Sequence, residues 1–289
     1  MPASRVYLST IGRSLDPAEA AVPVLDRGFL FGDAVFETLR TAAGRPVAWD
    51  AHTARLRRSA AGIGLDLPWS DDELRAFVDL THGDTGNADS LVRIVVTRGV
   101  APLMLDPRKA LTPTLAVLAI PLELPDEAGY VRGLRARIVD VTRAPASALD
   151  PAFKTSNYLP NIQGLRQALA AGDDEAVLVN PAGLVAEGAT SNVFAVIGGV
   201  LFTPPISDGI LPGITRAAVL ELAGALAVPA QESSLHPFDL RAAEEVFLTS
   251  SVRGPIAVTT LDGHRVADGA EGPLTNKLRN AYQSALPGL

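Results

Sequence analysis

Lysine is scarce in this chain: Lys109, Lys154 and Lys277 stand against 22 arginines. Wherever a plain positive charge suffices the sequence uses arginine, so a lysine marks a place where a primary amine could be wanted. Lys154, in "DPAFKTSNYLPN", offers that amine. An ammonium can lose its proton and attack a carbonyl, whereas a guanidinium stays protonated. A second chemistry is legible in "SDGILPGITRAAVLELA", where Pro212-Gly213 precede a helix that opens at Ile214-Thr215. Free backbone amides, the positive end of the helix dipole and the Thr215 hydroxyl would converge there, which suits a phosphate. The same residues also serve simply to open a helix. In "LTSSVRG", Ser250 and Ser251 follow a strand and Gly254 permits a tight turn, so the hydroxyls are either phosphate donors or local turn serines. Arg55, in "HTARLRR", brings a planar fork that matches a phosphate, or else lies on a solvated helix face.

The elements that must position these groups follow from the hydrophobic pattern. "RVYLST", "AVFETLRT" and "VAW" read as strands, the last two joined by the turn "AAGRP". "AHTARLRRSAAGI" has helical spacing, and "SDDELRAFVDL" opens with Ser70 and Glu73 in capping-box spacing. Two apolar strands follow, "SLVRIVVTRG" and "TLAVLAIPL". The proline- and acid-rich segment "PLELPDEAGY", residues 121–130, lacks periodicity and reads as a linker between an N-terminal domain, residues 1–120, and a C-terminal domain, residues 131–289. Beyond it "LRARIVDV" reads as a strand, "LPNIQGLRQALAAG" and "GITRAAVLELAGALA" as helices, and residues 175–203 as strands around "NPAG" and "IGG". "EVFLTSS", "PIAVTTLDG" and the helix "LTNKLRNAYQSAL" complete the pattern. Strands and helices alternate irregularly with several hairpins, which predicts an α/β chain of the α+β kind rather than one parallel sheet.

Composition excludes several classes. The chain has 289 residues, 47% of them apolar and 20% charged, so disorder is excluded and one large or two medium domains are expected. A net charge of −7 argues against nucleic acid or an anionic membrane as partner. With no cysteine, disulfides, cysteine-ligated zinc and thiol nucleophiles drop out. The four histidines, His52, His82, His236 and His264, are scattered, so no metal site is expected, and His52 reads as a packing or helix-start residue. No secretory signal and no apolar run of about 18 residues is visible, which makes the cytoplasm the expected location. Walker, G-x-G-x-x-G, H-E-x-x-H and G-x-S-x-G patterns are all lacking.

The ordered set "DRGFLFGDAVFETLR", "HTARL", "FKTSNYL", "VAEGATSNVF", "LPGITR" and "FLTSS" resembles the fold-type IV pyridoxal-phosphate enzymes. That family holds branched-chain aminotransferases, D-amino-acid aminotransferases and aminodeoxychorismate lyases. The resemblance spans about residues 25 to 260. It implies a smaller N-terminal α/β domain, a larger, barrel-like, cofactor-binding C-terminal α/β domain and a homodimer. Carried over by motif, Lys154 matches the lysine that forms a Schiff base with pyridoxal 5'-phosphate, and Glu187 the carboxylate paired with the pyridine nitrogen. Arg55, Ile214, Thr215 and Ser251 match the phosphate cradle, with Ser250 beside it. Tyr158 resembles the tyrosine near the phenolic oxygen, one residue nearer the lysine than in the branched-chain branch.

The implied reaction is transamination between an amino acid and a 2-oxo acid by a ping-pong route. The alternative is aminodeoxychorismate lyase, which eliminates pyruvate. Thr38 stands where branched-chain enzymes typically carry glycine, and Leu103-Met104-Leu105 replace the Arg-x-His carboxylate trap of the D-alanine type. Phe36, Thr38 and Arg253 are the candidate substrate contacts, with Arg253 expected to hold a substrate carboxylate.

Overall fold

The structure is a computed structural model that describes residues 3–143 and 147–289. Two compact units emerge. The first gathers the chain up to Glu123 together with Phe153–Asn157 and Leu289, and the second contains Leu124–Ala152 and Tyr158–Gly288.

Among the described residues the first unit holds a six-stranded sheet of β1 (Arg5–Leu8), β2 (Arg13–Leu15), β3 (Ala34–Ala42), β4 (Arg45–Pro46), β5 (Ser90–Thr97) and β6 (Thr114–Pro121). The order is β2-β1-β6-β5-β3-β4 and every neighbouring pair is antiparallel. Helices α1 (Arg27–Phe31), α2 (Trp49–Gly62) and α3 (Asp71–Gly83) complete it. Along β3 the two-residue period sends Val35 and Leu39 into a core cluster with Leu56 and Ala60 of α2 and Leu74 and Val78 of α3. Glu37 falls on that same face and is fully buried. On α2 the buried residues His52, Arg55, Leu56, Ser59 and Ala60 recur at helical spacing, so this face carries both apolar and polar groups inward. The capping box of α3 forms as expected, with the Ser70 hydroxyl accepting from the Glu73 N–H and the Glu73 carboxylate accepting from the Ser70 N–H.

Residues 153–157 join this sheet rather than the elements next to them in sequence. The Phe36 N–H donates to the Lys154 carbonyl at 3.0 Å and the Ser156 N–H to the Ala34 carbonyl at 3.0 Å, around an antiparallel bridge between Val35 and Thr155. The segment covers one end of the β3 edge whose other end is covered by β4. The expected strand "VAW" is corrected: β4 stops at Pro46, Ala48 turns left-handed with φ 52°, and Trp49 already opens α2. Trp49 packs on the apolar cluster, so a tertiary contact overrides the strand preference of a short apolar triplet.

In the second unit, α4 (Glu127–Arg132) occupies the second half of the segment read as a linker. Asp126 caps it, accepting from the Gly129 N–H at 2.7 Å, and Tyr130 is buried. A cap and one buried aromatic suffice for a helix too short to show periodicity. The strands are β7 (Leu134–Thr142), β8 (Glu175–Val179), β9 (Val185–Gly188), β10 (Asn192–Ile197), β11 (Val200–Thr203), β12 (Ala230–Glu232), β13 (Glu245–Ser250), β14 (Gly254–Leu261) and β15 (His264–Arg265). The helices are α5 (Leu159–Ala170), α6 (Ile214–Ala225), α7 (Pro237–Ala242) and α8 (Pro273–Ala285). The sheet runs β12-β11-β10-β13-β14-β7-β8-β9, with β15 beside β14.

Pairs β11–β12, β14–β7 and β7–β8 are parallel and the others antiparallel, the mixed α/β arrangement expected from the irregular alternation. Both faces are covered. Val193, Ala195, Val246 and Leu248 enter one core cluster with Tyr130 and Leu240. Phe194, Val196 and Phe247 enter another, with Val219 and Ala223 of α6 and Leu278 of α8. Among the described residues no helix is long and apolar enough to cross a membrane.

Candidate active site

The candidate residues fall into two groups. Lys154, Arg55, Phe36 and Thr38 belong to the first unit, while Tyr158, Glu187, Ile214, Thr215, Ser250, Ser251 and Arg253 belong to the second.

In the first unit the main chain of Lys154 is held on both sides. Its N–H donates to the Ser59 hydroxyl at 3.0 Å, and its carbonyl accepts from the Phe36 N–H. The side chain extends over Phe36, with Nζ 4.5 Å from the ring centroid, within cation–π range. The Arg93 guanidinium lies 4.2 Å from the centroid of the same ring, and Arg93 is paired across the strands with Thr38. Arg93 was missed in the sequence, where its signal is a lone arginine inside the apolar strand "SLVRIVVTRG".

Arg55 is buried, so the reading of a solvated helix face is corrected. Its Nε and Nη2 each donate to Glu37 at 2.7 Å, one to each carboxylate oxygen, and His52 Nδ1 stands 2.8 Å from Glu37 Oε2. Burial pushes the Glu37 carboxyl upward, but the Arg55 guanidinium and the hydrogen bonds from Arg55 and His52 overcome it and bring it to about 2. For His52, burial pushes the imidazole down, opposed by Glu37 and reinforced by Arg55 and Lys154. The histidine is therefore neutral near pH 7, and the tautomer that satisfies Glu37 carries its proton on Nδ1. Glu37 also escaped the sequence reading, although its place between Val35 and Leu39 on one face was the available signal.

In the second unit Glu187 lies on β9 and is buried. Oε1 is 2.8 Å from Arg143 Nη2, and Oε2 accepts from the Leu211 N–H at 3.0 Å and from Asn192 Nδ2 at 3.4 Å. These bonds tie the carboxylate to the segment that leads into α6. Helix α6 starts at Ile214, as expected, and its N-cap, Gly213, gives no side-chain hydrogen bond to the first-turn amides. A Cβ at Gly213 would collide with Asn192 Oδ1, so only glycine fits this approach.

Tyr282 of α8 links the two candidate phosphate segments. Its hydroxyl is 3.3 Å from the buried Thr215 hydroxyl, and its ring lies against Gly254, where a Cβ would come within 2.9 Å. The Ser250–Gly254 turn is thereby placed beside the N-terminus of α6. Within it the Ser250 hydroxyl accepts from the Arg253 N–H at 3.3 Å, and the Arg253 carbonyl accepts from the Tyr130 hydroxyl at 2.8 Å. Thr249 Oγ1 is buried with no hydrogen-bond partner among the described residues. A helix start without a side-chain cap, with the Thr215 and Tyr282 hydroxyls beside it, presents a kind of donor set that suits a phosphate.

Arg253 Nη2 lies 3.5 Å from Glu175 Oε2, an ion pair that competes with the expected role in holding a substrate carboxylate. Burial pushes the Glu175 carboxyl upward against the pull of Arg253. Tyr158 occupies the N-cap position of α5 and is half-buried.

Residues 34–261 match the family description "Amino-transferase class IV". A Methanocaldococcus jannaschii protein, provisionally named a branched-chain-amino-acid aminotransferase, is 38% identical over 96% of this chain and 95% of its own length. The D-alanine aminotransferase of Bacillus licheniformis is 35% identical over 95% of each chain. Among solved structures, the branched-chain aminotransferase of the archaeon Thermoproteus uzoniensis, crystallised with norvaline, superposes with a TM-score of 0.90. It is 35% identical over 98% of this chain and 95% of that one.

The Glu37 cluster has a measurable pH signature. Its folded-state value lies below the ordinary 4.5, so the unfolded chain takes up the proton first as pH falls. The stabilisation is present above pH 4.5 and is lost as the pH drops through about 2. The stability gap between the wild type and Glu37→Gln, measured by urea unfolding, should therefore narrow as pH is lowered across that window. A gap that widens there would contradict the assignment.

Proposed function

The chain belongs to the class IV aminotransferases, pyridoxal-phosphate-dependent enzymes, and we propose from that premise that it exchanges an amino group between an amino acid and a 2-oxo acid in two successive half-reactions. The observation that carries this reading is Lys154, a primary amine whose main chain is fixed by Ser59 and Phe36 while its side chain reaches across an aromatic ring. When bound, pyridoxal phosphate supplies an electrophilic carbonyl and a ring that accepts electrons from the substrate.

The chain's own residues do the rest. Lys154 anchors the cofactor and then serves as the base that takes up and returns a proton at Nζ. Glu187 presents a buried negative charge to the protonated ring nitrogen and is kept in place by Arg143 and the Leu211 N–H. The amides of Ile214 and Thr215, with the hydroxyls of Thr215, Ser250 and Ser251, bind the phosphate, and Arg55 adds a cation. Tyr158 is read as a contact to the cofactor ring.

For the substrate carboxylate we favour Arg93 over Arg253. Arg93 shares the Phe36 ring with the Lys154 amine. Phe36 and Thr38 then form the adjoining wall. The lyase alternative gains no support from the relatives described above, whose names are those of aminotransferases. A homodimer fits the apolar side chains that the first unit leaves exposed, including Phe29, Leu103, Leu105 and Leu111.

Mixing the holoenzyme with a single amino donor from a panel of D-alanine, D-glutamate, L-leucine and L-glutamate should shift the cofactor absorbance. A 2-oxo acid should then restore it. A requirement for both substrates at once would sink the two-half-reaction scheme. Lys154→Ala should lower turnover by at least about 1,000-fold, and a variant that keeps wild-type turnover would show that the wrong lysine was chosen. Arg93→Ala should raise KM for the amino donor about tenfold with the cofactor spectrum unchanged, while an unmoved KM removes Arg93 from the substrate site. Sedimentation of the holoenzyme should give twice the chain mass, and a monomer would exclude the dimer.

A further inference from the structure

We propose that Glu37 is a positioning residue for the cofactor's phosphate: together with His52 it clamps the Arg55 guanidinium in one orientation, leaving the phosphate to be met by a preset cation rather than a mobile one. The proposal rests on the reading of Arg55 as a phosphate ligand.

The geometry is that of a complete clamp. Glu37 sits between Val35 and Leu39 on the core face of β3, where an aliphatic side chain would pack against α2 without desolvation cost. A buried ion pair is often no more stabilising than well-packed apolar residues, so fold stability alone is a weak reason for a carboxylate here. Both of its oxygens face Arg55, and Oε2 also meets His52 Nδ1. All three side chains are almost entirely buried.

The Nε–Nη2 edge of Arg55 is thus given to the protein. A guanidinium has five N–H donors, and this pairing fixes its plane through two parallel bonds. An arginine side chain otherwise loses much of its rotamer freedom on being ordered, and here that ordering is completed before a ligand arrives. His52 and Arg55, three residues apart on the buried face of α2, reach the same carboxylate, so a single strand residue aligns the helix face that also holds the Lys154 N–H through Ser59.

The test uses apo-protein and compares the affinities for pyridoxal phosphate, pyridoxal and inorganic phosphate, read by fluorescence and equilibrium dialysis. Glu37→Gln should weaken pyridoxal phosphate and inorganic phosphate at least about tenfold while pyridoxal changes by less than about twofold. In an Arg55→Met background the same substitution should have no further effect on phosphate affinity, because there is no guanidinium left to orient. The double variant also removes both buried charges, so it remains informative where Glu37→Gln alone fails to fold.

Equal weakening of pyridoxal phosphate and pyridoxal, unchanged or tighter phosphate binding, or a loss that persists without Arg55 would each overturn the proposal. If Arg55→Met by itself leaves the preference for pyridoxal phosphate over pyridoxal intact, the phosphate role of Arg55 fails and the proposal fails with it. A preference lost in Arg55→Met but retained in Glu37→Gln keeps the role of Arg55 and removes only that of Glu37.

Discussion

The Lys154 main chain is hydrogen-bonded in both directions, and the first unit is arranged around that constraint. Ser59 and Phe36 hold that backbone from its two sides, and the side chain extends over the Phe36 ring. Strand β3 serves twice because of its pleat. Phe36 and Thr38 lie on one face, beside the lysine and Arg93, while Glu37 lies on the other, against α2. Adjacent residues therefore act in two different environments, and a one-residue slip in the register of β3 would exchange them.

The two groups of candidate residues treat charge differently. In the first, Glu37, His52 and Arg55 satisfy one another in a nearly water-free interior, where an unpaired charge would be costly. In the second, the start of α6 has no side-chain cap and is bordered by hydroxyls, so part of its hydrogen-bonding capacity is directed to something other than a capping side chain. Tyr282 makes this arrangement specific by holding Thr215 and the Ser250–Gly254 turn to the same ring. Glu187 is intermediate: a buried carboxylate supported by Arg143 and by a backbone amide just upstream of that helix.

Much of this was legible in the amino-acid sequence, because local patterns encode local structure. The capping box at Ser70, the opening of α6 at Ile214 and the long apolar strands all follow from spacing alone. What escaped depends on partners distant in the chain. Glu37 and Arg55 are 18 positions apart, Thr215 and Tyr282 are 67 apart, and Tyr130 and Arg253 are 123 apart. No periodicity announces such pairs. His52 read as packing because a single residue does not reveal the carboxylate opposite it, and Arg253 read as available because Glu175 lies far upstream. The helix at Glu127–Arg132 was hidden for a different reason: it is shorter than the window in which a 3.6-residue period becomes visible.

The return of residues 153–157 to the first sheet has a consequence for the order of synthesis. Strand β6 is complete at Pro121, yet the segment that closes one end of the β3 edge leaves the ribosome only after β7 and the stretch beyond it. At about 5–20 residues per second the nascent chain spends seconds with that edge unpaired. An uncovered edge is a template for pairing with other strands. The peptide that carries Lys154 is thus also the last piece of the first sheet to arrive, so the lysine reaches its place only as that sheet ceases to be sticky.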